Sequence, residues 1–585
     1  MTFLEAFLRS LFSRPRLAMT ALYWYATGKR VRARNRLRIS IAQSPRAYGM
    51  WIASIERQAN GLAQAPATIA SWPHRPRLSV LIHRPPGERL DQFARRITAL
   101  AAQCYSDWEL VLAQSRNAPQ MQMPAVPRLS LVPGRTDNPI KAMTLAMQTA
   151  AGDFVLPLAH DAVLAPDALY RFAAALQAYP DANVLYGDED RITSRGRRTH
   201  PWFKPAWNGE LALAQDYISG ACLIRRDATL RAAPTDPGLY ALLLAVTAQD
   251  AAKVHHVPYV IAHMATDQPA ATDQAARAAT VARHVAPLGA TARIGPHGTV
   301  AVDWPLPAPP PLVSIIIPTR DHVDLLRTCV TGVLTATGYR DVEILIVDNG
   351  SREAEALDYL GRIAANPRVR VIRDDGPFNY SALNNRAAAE ARGEYLCLLN
   401  NDIEIIDENW LTALMRQAVR PHVGAVGAKL LYDDGTIQHA GVTIGLGGAA
   451  GHAHRFQKNS DSGYFARAHV PHYVSAVTGA CLLVEKAKFD AVGGLDEEGF
   501  AVAFNDVDLC LKLQAAGWRN LYEPRAELIH HESKSRGKDF LPENVERYRR
   551  ELALLQAQWG TKTYDDPLHH PALDRLGETY HIGLH

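Results

Sequence analysis

The sequence predicts an α/β fold in which a parallel sheet is covered by helices on both faces, and it predicts that this fold occurs twice. Continuous β-branched and leucine runs are typical of strands that are buried on both faces of a sheet. Helix-length segments at 324–335 and 381–392 separate the runs, and a matching series of runs lies in the first half of the chain. The runs of the second half are residues 313–317, 343–347 and 395–399.

Polar residues follow these runs. Asp348 ends the second run, and Asn400, Asn401 and Asp402 end the third. Ligands of open α/β sheets bind beyond the carboxyl ends of the strands, so we expect Asp348 and Asp402 at one edge of the sheet. Two carboxylates on neighbouring strand ends repel each other unless a cation or a donor-rich ligand lies between them. Taken singly, each motif is more often an ordinary turn or a helix cap than part of a binding site.

The totals indicate a multidomain globular protein. A chain of 585 residues is too long for one core, and its 48% hydrophobic and 21% charged content is ordinary for a globular protein. The six cysteines are scattered, without the spacing of a metal site or a disulfide framework. They therefore favour buried thiols and a reducing, cytoplasmic compartment.

The basic charge is concentrated in an N-terminal arm. Residues 1–40 hold nine basic residues and one acid, a charge of +8, which leaves −4 for the rest of a chain whose net charge is +4. No apolar run reaches the ~18 residues that span a bilayer, and Arg14 and Arg16 interrupt the stretch that a signal peptide would need. One hypothesis places the arm on the anionic inner face of a membrane, and the other packs it on the protein body. No aromatic-interleaved basic patch follows, so we expect no nucleic-acid partner. The apolar residues at helical spacing include Phe3, Leu4, Phe7, Leu8, Leu11 and Phe12.

The first half of the chain repeats the segments of the second half, but not all of its polar residues. When the two halves are aligned, Gln114 corresponds to Asp348 and Ala159 to Asn400, so these polar positions differ. Asp161 corresponds to Asp402, and this acid is kept. Because the first half keeps the strands but lacks a carboxylate at the position of Asp348, the sequence suggests a binding or structural role for it. The proline-rich stretch 305–311 separates the halves. The matched segments are 78–82 with 313–317, 108–112 with 342–346, 152–158 with 393–399, and 219–224 with 478–483.

Two later motifs are expected at the same edge. Asp506 and Asp508 precede an apolar helix that Gly517 closes. We expect Asp508 at or near the helix cap, and Asp506 outside the first turn, where its carboxylate is freer to face a cleft. The pair His530 and His531 follows another strand. We expect it to belong to a metal site only if it lies in contact with Asp402. The glycine- and histidine-rich stretch 441–454 is either a lid or a loop.

Eight ordered motifs between about residues 312 and 540 together resemble a family 2 inverting glycosyltransferase with the GT-A fold, of the bacterial rhamnosyltransferase, O-antigen or capsule type. The first half resembles the same family more weakly through 186–190 and 202–205, as in tandem-domain members. The resemblance therefore implies two tandem GT-A domains, which are Rossmann-like folds for nucleotide-diphospho-sugars, with the first one degenerate. The motifs lie at 314–319, 347–351, 378–385, 399–402, 478–481, 492–497, 505–509 and 530–537. The predicted divisions are a basic helical segment (1–70), the degenerate domain (71–302), a linker (303–312), the catalytic domain (313–545) and a C-terminal helix and tail (546–585).

The resemblance also implies roles for individual residues. Asp506 matches the general base, and Asp402 and His530 match metal ligands for Mn²⁺ or Mg²⁺. Because Asn400 replaces the first acid of the usual Asp-x-Asp motif, a neutral amide would weaken the hold on the ion. The implied partners are a nucleotide diphosphate sugar donor and a glycan or lipid-linked saccharide acceptor. The residues expected to line the nucleotide-sugar pocket are Pro318, Thr319, Arg320, Asp348, Asn349, Asn384, Asn400 and Asn401.

Two alternatives stay open from the sequence. The protein could be a non-catalytic scaffold that binds glycans or nucleotides, or both of its domains could be active transferases. For the first domain the sequence favours binding, since no Asn-Asp-Val-Asp equivalent lies between Ser219 and His256.

Overall fold

The computed structural model describes residues 7–8, 10–11, 14–28, 30–57, 61–116, 126–232, 238–265, 274–531 and 542–584. It confirms an α/β fold that is used twice. The first part contains α1 (Pro15–Ala26), α2 (Arg30–Ala42), α3 (Ala47–Trp51), α4 (Ala65–Ser71), β1 (Leu78–Arg84), α5 (Leu90–Ala101), β2 (Trp108–Gln114), β3 (Leu129–Leu131), α6 (Pro139–Thr149), β4 (Phe154–Leu158), β5 (Ala162–Leu164), α7 (Ala168–Ala178), β6 (Val184–Ile192), β7 (Arg198–Trp202), α8 (Gly209–Ala214), β8 (Cys222–Arg225), α9 (Arg226–Ala232), α10 (Leu239–Gln249), β9 (Val254–Ala265), α11 (Gln274–Val285), β10 (Thr291–Ile294) and β11 (Val300–Asp303).

The second part begins directly after the proline-rich stretch. It contains β12 (Val313–Thr319), α12 (Val323–Thr335), β13 (Val342–Asp348), α13 (Ala354–Ile363), β14 (Val369–Arg373), α14 (Tyr380–Glu390), β15 (Tyr395–Leu399), β16 (Ile403–Ile405), α15 (Trp410–Ala418), β17 (Val423–Leu431), β18 (Ile437–His439), β19 (Val442–Ile444), β20 (Ala450–His452), β21 (His472–Val474), β22 (Cys481–Glu485), α16 (Lys486–Ala491), α17 (Asn505–Ala515), β23 (Arg519–His530) and α18 (Pro542–Trp559).

The two large sheets have the same strand order. The first runs β3-β2-β1-β4-β8-β6-β9-β5 and the second runs β14-β13-β12-β15-β22-β17-β23-β16. Each has a further strand on the sixth position, β7 on β6 and β18 on β17. Only part of each sheet is parallel, because β22 runs antiparallel to both β15 and β17. The three runs from which a parallel sheet was predicted do pair in parallel, as β12, β13 and β15. The prediction did not include the antiparallel strands beyond β15.

A buried serine and glutamate recur at the same place in both sheets. Ser79 Oγ donates to Glu109 Oε1 at 2.6 Å, and Ser314 Oγ donates to Glu343 Oε1 at 2.6 Å. In each domain the serine Oγ also accepts, at 2.9 Å, from the backbone N–H of the glycine before the fourth strand of that domain, Gly152 or Gly393. Shared polar contacts inside the core, together with the shared strand order, indicate that one domain is a copy of the other.

The two domains contact each other through the β10–β11 hairpin that closes the first. Arg525 in β23 donates to Asp303 Oδ1 at 2.6 Å, and Arg416 in α15 donates to the carbonyl oxygen of Trp304. Arg420 also pairs with the buried Glu210 of α8. The proline-rich stretch 305–311 therefore connects domains that are already bound to each other, rather than holding them apart.

The C-terminal tail crosses both domains. Asp566 accepts hydrogen bonds from Ile444 N and Ser475 Oγ of the second domain, and Pro567 O accepts from Ala206 N of the first. The stretch 441–454 forms the short hairpin β19–β20, and the Ile444 contact ties it to this tail.

The described part of the N-terminal arm is a pair of helices, α1 and α2. Its buried residues pack together, with half-buried Leu584 of the tail against them, in a cluster of Ala18, Ala21, Ala33, Leu37 and Ile41. Met19, Leu22 and Tyr23 stay exposed. Within the described ranges, no helix combines the length and the apolar character needed to cross a bilayer. The predicted positions Phe3, Leu4 and Phe12 lie outside the described residues.

Candidate active site

The polar strand ends of the second sheet lie on one edge, but not in the predicted arrangement. Strand β12 lies between β13, which carries Asp348, and β15, which leads to Asp402. Two strand spacings make roughly 10 Å. The expectation that these carboxylates sit on neighbouring strand ends is therefore wrong, because the first strand of the domain occupies the middle of the sheet.

Asp348 is neutralised by a residue that the sequence analysis missed. Arg373 is its register partner in β14, and the guanidinium of Arg373 pairs with Asp348 Oδ2. Ser351 N donates to Asp348 Oδ1 at 2.9 Å. Hydrogen bonds to Asp348 and Asp375 raise the pKa of the Arg373 guanidinium above its ordinary value. A carboxylate offers about four acceptor positions, so Asp348 keeps room for a further donor. The only sequence signal for Arg373 is an arginine at the end of the next strand.

Asn401, which follows β15, and Asn349, which follows β13, both donate hydrogen bonds to Thr319 at the end of β12. Asn401 Nδ2 donates to Thr319 Oγ1 at 3.0 Å, and Asn349 N donates to Thr319 O at 2.8 Å. Pro318 is buried beside them, whereas Arg320 is exposed at the rim. These contacts fix the backbone at the end of β12, residues 318–320, between Asp348 and Asp402.

Helix α14 covers the same edge. Asn379 caps it by accepting from Ala382 N at 3.0 Å. Asn384 is fully buried and donates to Tyr380 O at 2.7 Å, while its Oδ1 has no hydrogen-bond partner among the described residues. Tyr380 Oη donates to Gly479 O at 2.9 Å, which links this helix to the segment before β22.

Asp402, Asn400 and His530 lie in contact. Ile403 and His530 are opposite each other in the antiparallel pair β16–β23, so His530 stands beside Asp402. His530 Nε2 lies 3.1 Å from Asp402 Oδ1 and 3.4 Å from Asn400 Nδ2. Cys329, whose pKa is raised by burial, donates from its thiol to Asn400 O at 3.5 Å. The fold thus brings together the two residues that the resemblance assigns to a metal ion.

This group of side chains fits a divalent cation. His530 Nδ1 lies 2.7 Å from Gln438 Oε1, and an amide oxygen only accepts, so the ring proton is on Nδ1. In the neutral ring, Nε2 then presents a lone pair to the Asp402 carboxylate. Two acceptors 3.1 Å apart repel each other unless a proton or a cation lies between them. A carboxylate and an imidazole are suitable ligands for Mn²⁺, and less so for Mg²⁺. Asn400 directs its amide Nδ2 at His530, so only its Oδ1 could serve as a further ligand.

His531 has a different position from His530. Its Nδ1 lies 2.5 Å from Asp433 Oδ1, its Nε2 lies 3.0 Å from Glu404 Oε2, and its backbone N donates to Asp402 O at 3.0 Å. Both ring nitrogens are used by carboxylates, so His531 fixes the end of β23 rather than joining the group of Asp402. Residues 532–537 of the resembling motif lie outside the described part of the chain.

Asp506 lies in the first turn of α17 and not outside it, and Asp508 is not a cap. Phe504, at φ 63°, adopts a left-handed conformation and is the N-cap, so the helix begins at Asn505, whereas a cap at Asp508 would have started it at Leu509. Asp506 is half-buried, and its Oδ2 accepts from Gly479 N at 2.8 Å. Asp508 is fully buried, pairs with Lys512 at 3.0 Å and accepts from Trp559 Nε1 at 2.9 Å.

The segment Gly479-Ala480 connects Asp506 to the group of Asp402. Gly479 N donates to Asp506, and Asn400 N donates to Ala480 O at 3.0 Å. A Cβ atom on Gly479 would lie 3.3 Å from Tyr380 Oη and 3.5 Å from Asp506 Cβ. The glycine therefore lets Tyr380 and Asp506 approach the same peptide from two sides.

The corresponding edge of the first sheet lacks this chemistry. Met264 occupies the position that corresponds to His530. Met264 lies opposite Ala162 in the antiparallel pair β5–β9, and His530 lies opposite Ile403 in the equivalent pair β16–β23. Gln114 ends β2 where Asp348 ends β13. The first turn of α10, which precedes β9 as α17 precedes β23, contains no acid. Of the residues compared, the first domain retains only Asp161, whose backbone O accepts from Ala265 N at 3.0 Å.

A second cluster of titratable side chains joins the tail to the first domain. Among the described residues, Asp188, His256 and His570 form a group close enough to hold a metal ion. His256 Nε2 and His570 Nε2 lie 2.8 Å and 2.7 Å from the Asp188 carboxylate. However, Ala572 N donates to His570 Nδ1 at 2.9 Å, so the proton of a neutral His570 is on Nε2 and is donated to Asp188. A protonated nitrogen does not bind a metal, so the cluster is a hydrogen-bonded link.

The chain matches a model of glycosyl transferase family 2 over residues 88–231 and 314–473. These ranges fall in the two domains and together cover about half of the chain.

Similar proteins include the uncharacterized protein y4gI of Sinorhizobium fredii (strain NBRC 101917 / NGR234), 40% identical over 504 residues, covering 82% of this chain and 55% of that protein. The O-antigen biosynthesis protein RfbC of Myxococcus xanthus is 32% identical over 555 residues, covering 90% of this chain and 42% of that protein. An N-acetylglucosaminyl-diphospho-decaprenol L-rhamnosyltransferase of Mycobacterium tuberculosis (strain ATCC 25618 / H37Rv) is 29% identical over 260 residues, covering 39% of this chain and 78% of that protein. The chain thus spans about half the length of the first two relatives.

Proposed function

The chain belongs to glycosyl transferase family 2, with two GT-A domains, and from this premise we propose that the second domain is an inverting glycosyltransferase. It moves a sugar from a nucleotide diphosphate donor to a glycan or lipid-linked glycan acceptor in bacterial surface polysaccharide synthesis, of the O-antigen or capsule kind. An O-antigen biosynthesis protein and a rhamnosyltransferase among its relatives support this class of acceptor.

The observation that supports the proposal is the contact between Asp402 and His530, next to the Gly479-Ala480 segment that binds Asp506, at the sheet edge of one domain only. Asp402 and His530 are 3.1 Å apart, and Asn400 and Asp506 flank the same Gly479-Ala480 segment. At the matching edge of the first domain, Met264 replaces the imidazole. A purely structural use of these acids would give no reason for the difference.

The nucleotide is proposed to bind along the backbone of residues 318–320 at the end of β12. Asp348, held by Arg373 and Ser351, accepts from an N–H group of the base. Asn349, Asn384 and Asn401 line the same edge, and the unpartnered Oδ1 of Asn384 is a buried acceptor that a ligand would satisfy. The exposed Arg320 lies at the rim, where its charge suits a diphosphate.

The reaction is a single displacement. The acceptor hydroxyl oxygen forms a bond to the anomeric carbon, the bond from that carbon to the diphosphate oxygen breaks, and the nucleotide diphosphate leaves with the bonding electrons. Asp506 takes the hydroxyl proton, a role worth roughly 10²- to 10⁴-fold in rate. Because attack comes from the face opposite the leaving group, the anomeric configuration inverts.

Asp402, His530 and the Asn400 amide would hold a divalent ion, Mn²⁺ or Mg²⁺. When bound, such an ion supplies positive charge that offsets the charge developing on the leaving diphosphate. The neutral Asn400 contributes less attraction than the carboxylate usual at its position, which predicts weak metal binding in the absence of nucleotide.

A thermal-shift screen of the full chain against uridine, guanosine and deoxythymidine diphosphate sugars, with and without Mn²⁺, tests the proposal. We expect one donor to raise the melting temperature in a metal-dependent way, since a ligand at about 100 times its Kd adds about 2.7 kcal/mol to the free energy of unfolding. Donor turnover should then appear as release of the nucleotide diphosphate. If no nucleotide sugar shifts the melting temperature with or without metal, the transferase assignment of this edge is wrong.

The first domain is proposed to be a non-catalytic partner of the second. The absence of counterparts to Asp348, His530 and Asp506 argues against a bifunctional enzyme. Its contacts through Asp303 and Glu210 instead support a role in stabilising the catalytic domain.

We also propose that helices α1 and α2 contact the anionic inner face of a membrane. Exposed Met19, Leu22 and Tyr23 lie on the same helical pair as exposed Arg16 and Arg34, which combines an apolar surface with positive charge. The full chain should float with phosphatidylglycerol vesicles and not with phosphatidylcholine vesicles. Changing Met19 and Tyr23 together to Glu should abolish flotation, whereas Leu131→Glu, at another exposed apolar residue, should not. Equal flotation of both variants would remove the proposal.

A further inference from the structure

The imidazole of His530 is oriented by a side chain that no motif of the sequence suggested. Gln438 lies in the short strand β18, which pairs with β17 beside β23. Its side chain is buried, with 3% of its surface exposed. Its Oε1 accepts a hydrogen bond from His530 Nδ1 at 2.7 Å, the shortest polar contact recorded for the His530 ring.

This hydrogen bond selects one of the two neutral forms of the ring. With the proton on Nδ1, the lone pair is on Nε2, which faces Asp402 Oδ1 at 3.1 Å. With the proton on Nε2, the ring would donate to Asp402, and neither the nitrogen nor that carboxylate oxygen would be ready for a metal ion. The two forms of neutral imidazole differ little in energy on their own, so one buried acceptor is enough to choose between them.

We infer that Gln438 is a positioning residue, which holds His530 in the tautomer that presents the Nε2 lone pair to a divalent ion shared with Asp402. This inference rests on the metal site of the proposed function. Histidines that bind metals commonly donate their second ring N–H to such an acceptor, and loss of the acceptor typically costs about 10- to 100-fold in metal affinity.

The test compares two variants of the full chain. Gln438→Leu keeps the approximate size and removes the acceptor, whereas Gln438→Glu keeps an acceptor. Mn²⁺ affinity, measured by electron paramagnetic resonance without nucleotide, should fall about 10- to 100-fold in Gln438→Leu and stay close to the unmodified value in Gln438→Glu. Gln417→Leu is the matched control, since Gln417 is equally buried but bonds to Glu523, seven positions before His530 on the same strand.

A second readout needs no metal. Nitrogen-15 chemical shifts of the His530 ring, assigned with a His530→Asn variant, should report a proton on Nδ1 in the unmodified chain and a shift toward Nε2 in Gln438→Leu. If the ring shifts of the unmodified chain and Gln438→Leu are the same, the inference is overturned, even when Mn²⁺ binds. If the ring shifts change as expected but no chain binds Mn²⁺, the positional role stands and the metal site of the proposed function fails.

Discussion

His530 Nε2 lies 3.1 Å from Asp402 Oδ1, although the two residues are 128 positions apart in the sequence. The antiparallel pairing of Ile403 with His530 produces this contact. In the first domain the same pairing places Met264 opposite Ala162, so the two domains share the strand pairing and not the imidazole. Matched substitutions at the two edges therefore separate the chemistry of the site from the stability of the fold.

Asp402→Asn and His530→Ala should each remove the Mn²⁺-dependent part of donor binding, and the double variant should be no worse than either single one. The reason is that each variant breaks the same shared site, so their effects do not add. The measurement is the shift in melting temperature with donor and Mn²⁺. Asp161→Asn and Met264→Ala, the counterparts in the first domain, should leave that shift unchanged. Additive losses, or equal losses from the first-domain pair, would contradict a shared site in the second domain.

Asp506→Asn should lower turnover by about 10²- to 10⁴-fold and leave donor binding nearly unchanged, because it removes a base and keeps the hydrogen bond from Gly479. Asp508→Asn, two residues along the same helix, should show the opposite behaviour. It weakens the buried contacts to Lys512 and Trp559, so it should lower the free energy of unfolding by about 1–3 kcal/mol. Activity and melting temperature measured on both variants decide the roles. Substantial activity in Asp506→Asn would reassign the base.

The strands and their duplication were predictable because they are local patterns. The runs at 313–317 and 395–399 fall within β12 and β15, and their repeats in the first half fall within β1 and β4. The parallel pairing of β12 with β13 and β15 was predicted from their apolar runs. The order of the strands and the antiparallel direction of β22 were not predictable, because they depend on distant parts of the chain. For that reason Asp348 and Asp402 were expected one strand apart and are two strands apart.

The partners of the site residues were equally hidden from the sequence. Arg373 reaches Asp348 through sheet register, and Gln438 reaches His530 through the pairing of β18 with β17, so neither shows a motif. The start of α17 was misplaced because Phe504 adopts a positive φ that its residue type does not suggest. The sequence thus identified which residue types form the candidate site, but the contacts between them could be determined only from the fold.

His570→Ala should detach the tail from the first domain and lower the free energy of unfolding by about 1–3 kcal/mol. The variant removes the 2.7 Å hydrogen bond to Asp188, a fully buried carboxylate that then keeps His256 and Lys204 N as donors among the described residues. His74→Ala, at an exposed histidine, is the control. The measurement is chemical denaturation of the full chain. Equal unfolding midpoints for the two variants would show that the link contributes nothing to stability.

The buried histidines predict that the protein loses stability as pH falls from about 6.5, the ordinary histidine pKa. Burial lowers the pKa of His472 to about 3 and that of His569 to about 4. Below pH 6.5 the unfolded chain binds protons that the folded chain does not, so the free energy of unfolding rises with pH. Each such histidine contributes up to about 1.4 kcal/mol per pH unit, and the contribution of His472 is fully present above pH 6.5 and is lost as pH falls toward 3.

His472→Asn isolates one of these contributions. Its amide N–H can replace the ring Nδ1–H that donates to Val470 O at 2.9 Å, but it does not titrate. Between pH 6.5 and 5, where ordinary carboxylates still hold their charge, the slope of the free energy of unfolding against pH should be smaller in His472→Asn by up to about 1.4 kcal/mol per unit. His74→Asn, at an exposed histidine, is the control and should keep the original slope. If His472→Asn also keeps the original slope, His472 takes up its proton in the folded protein.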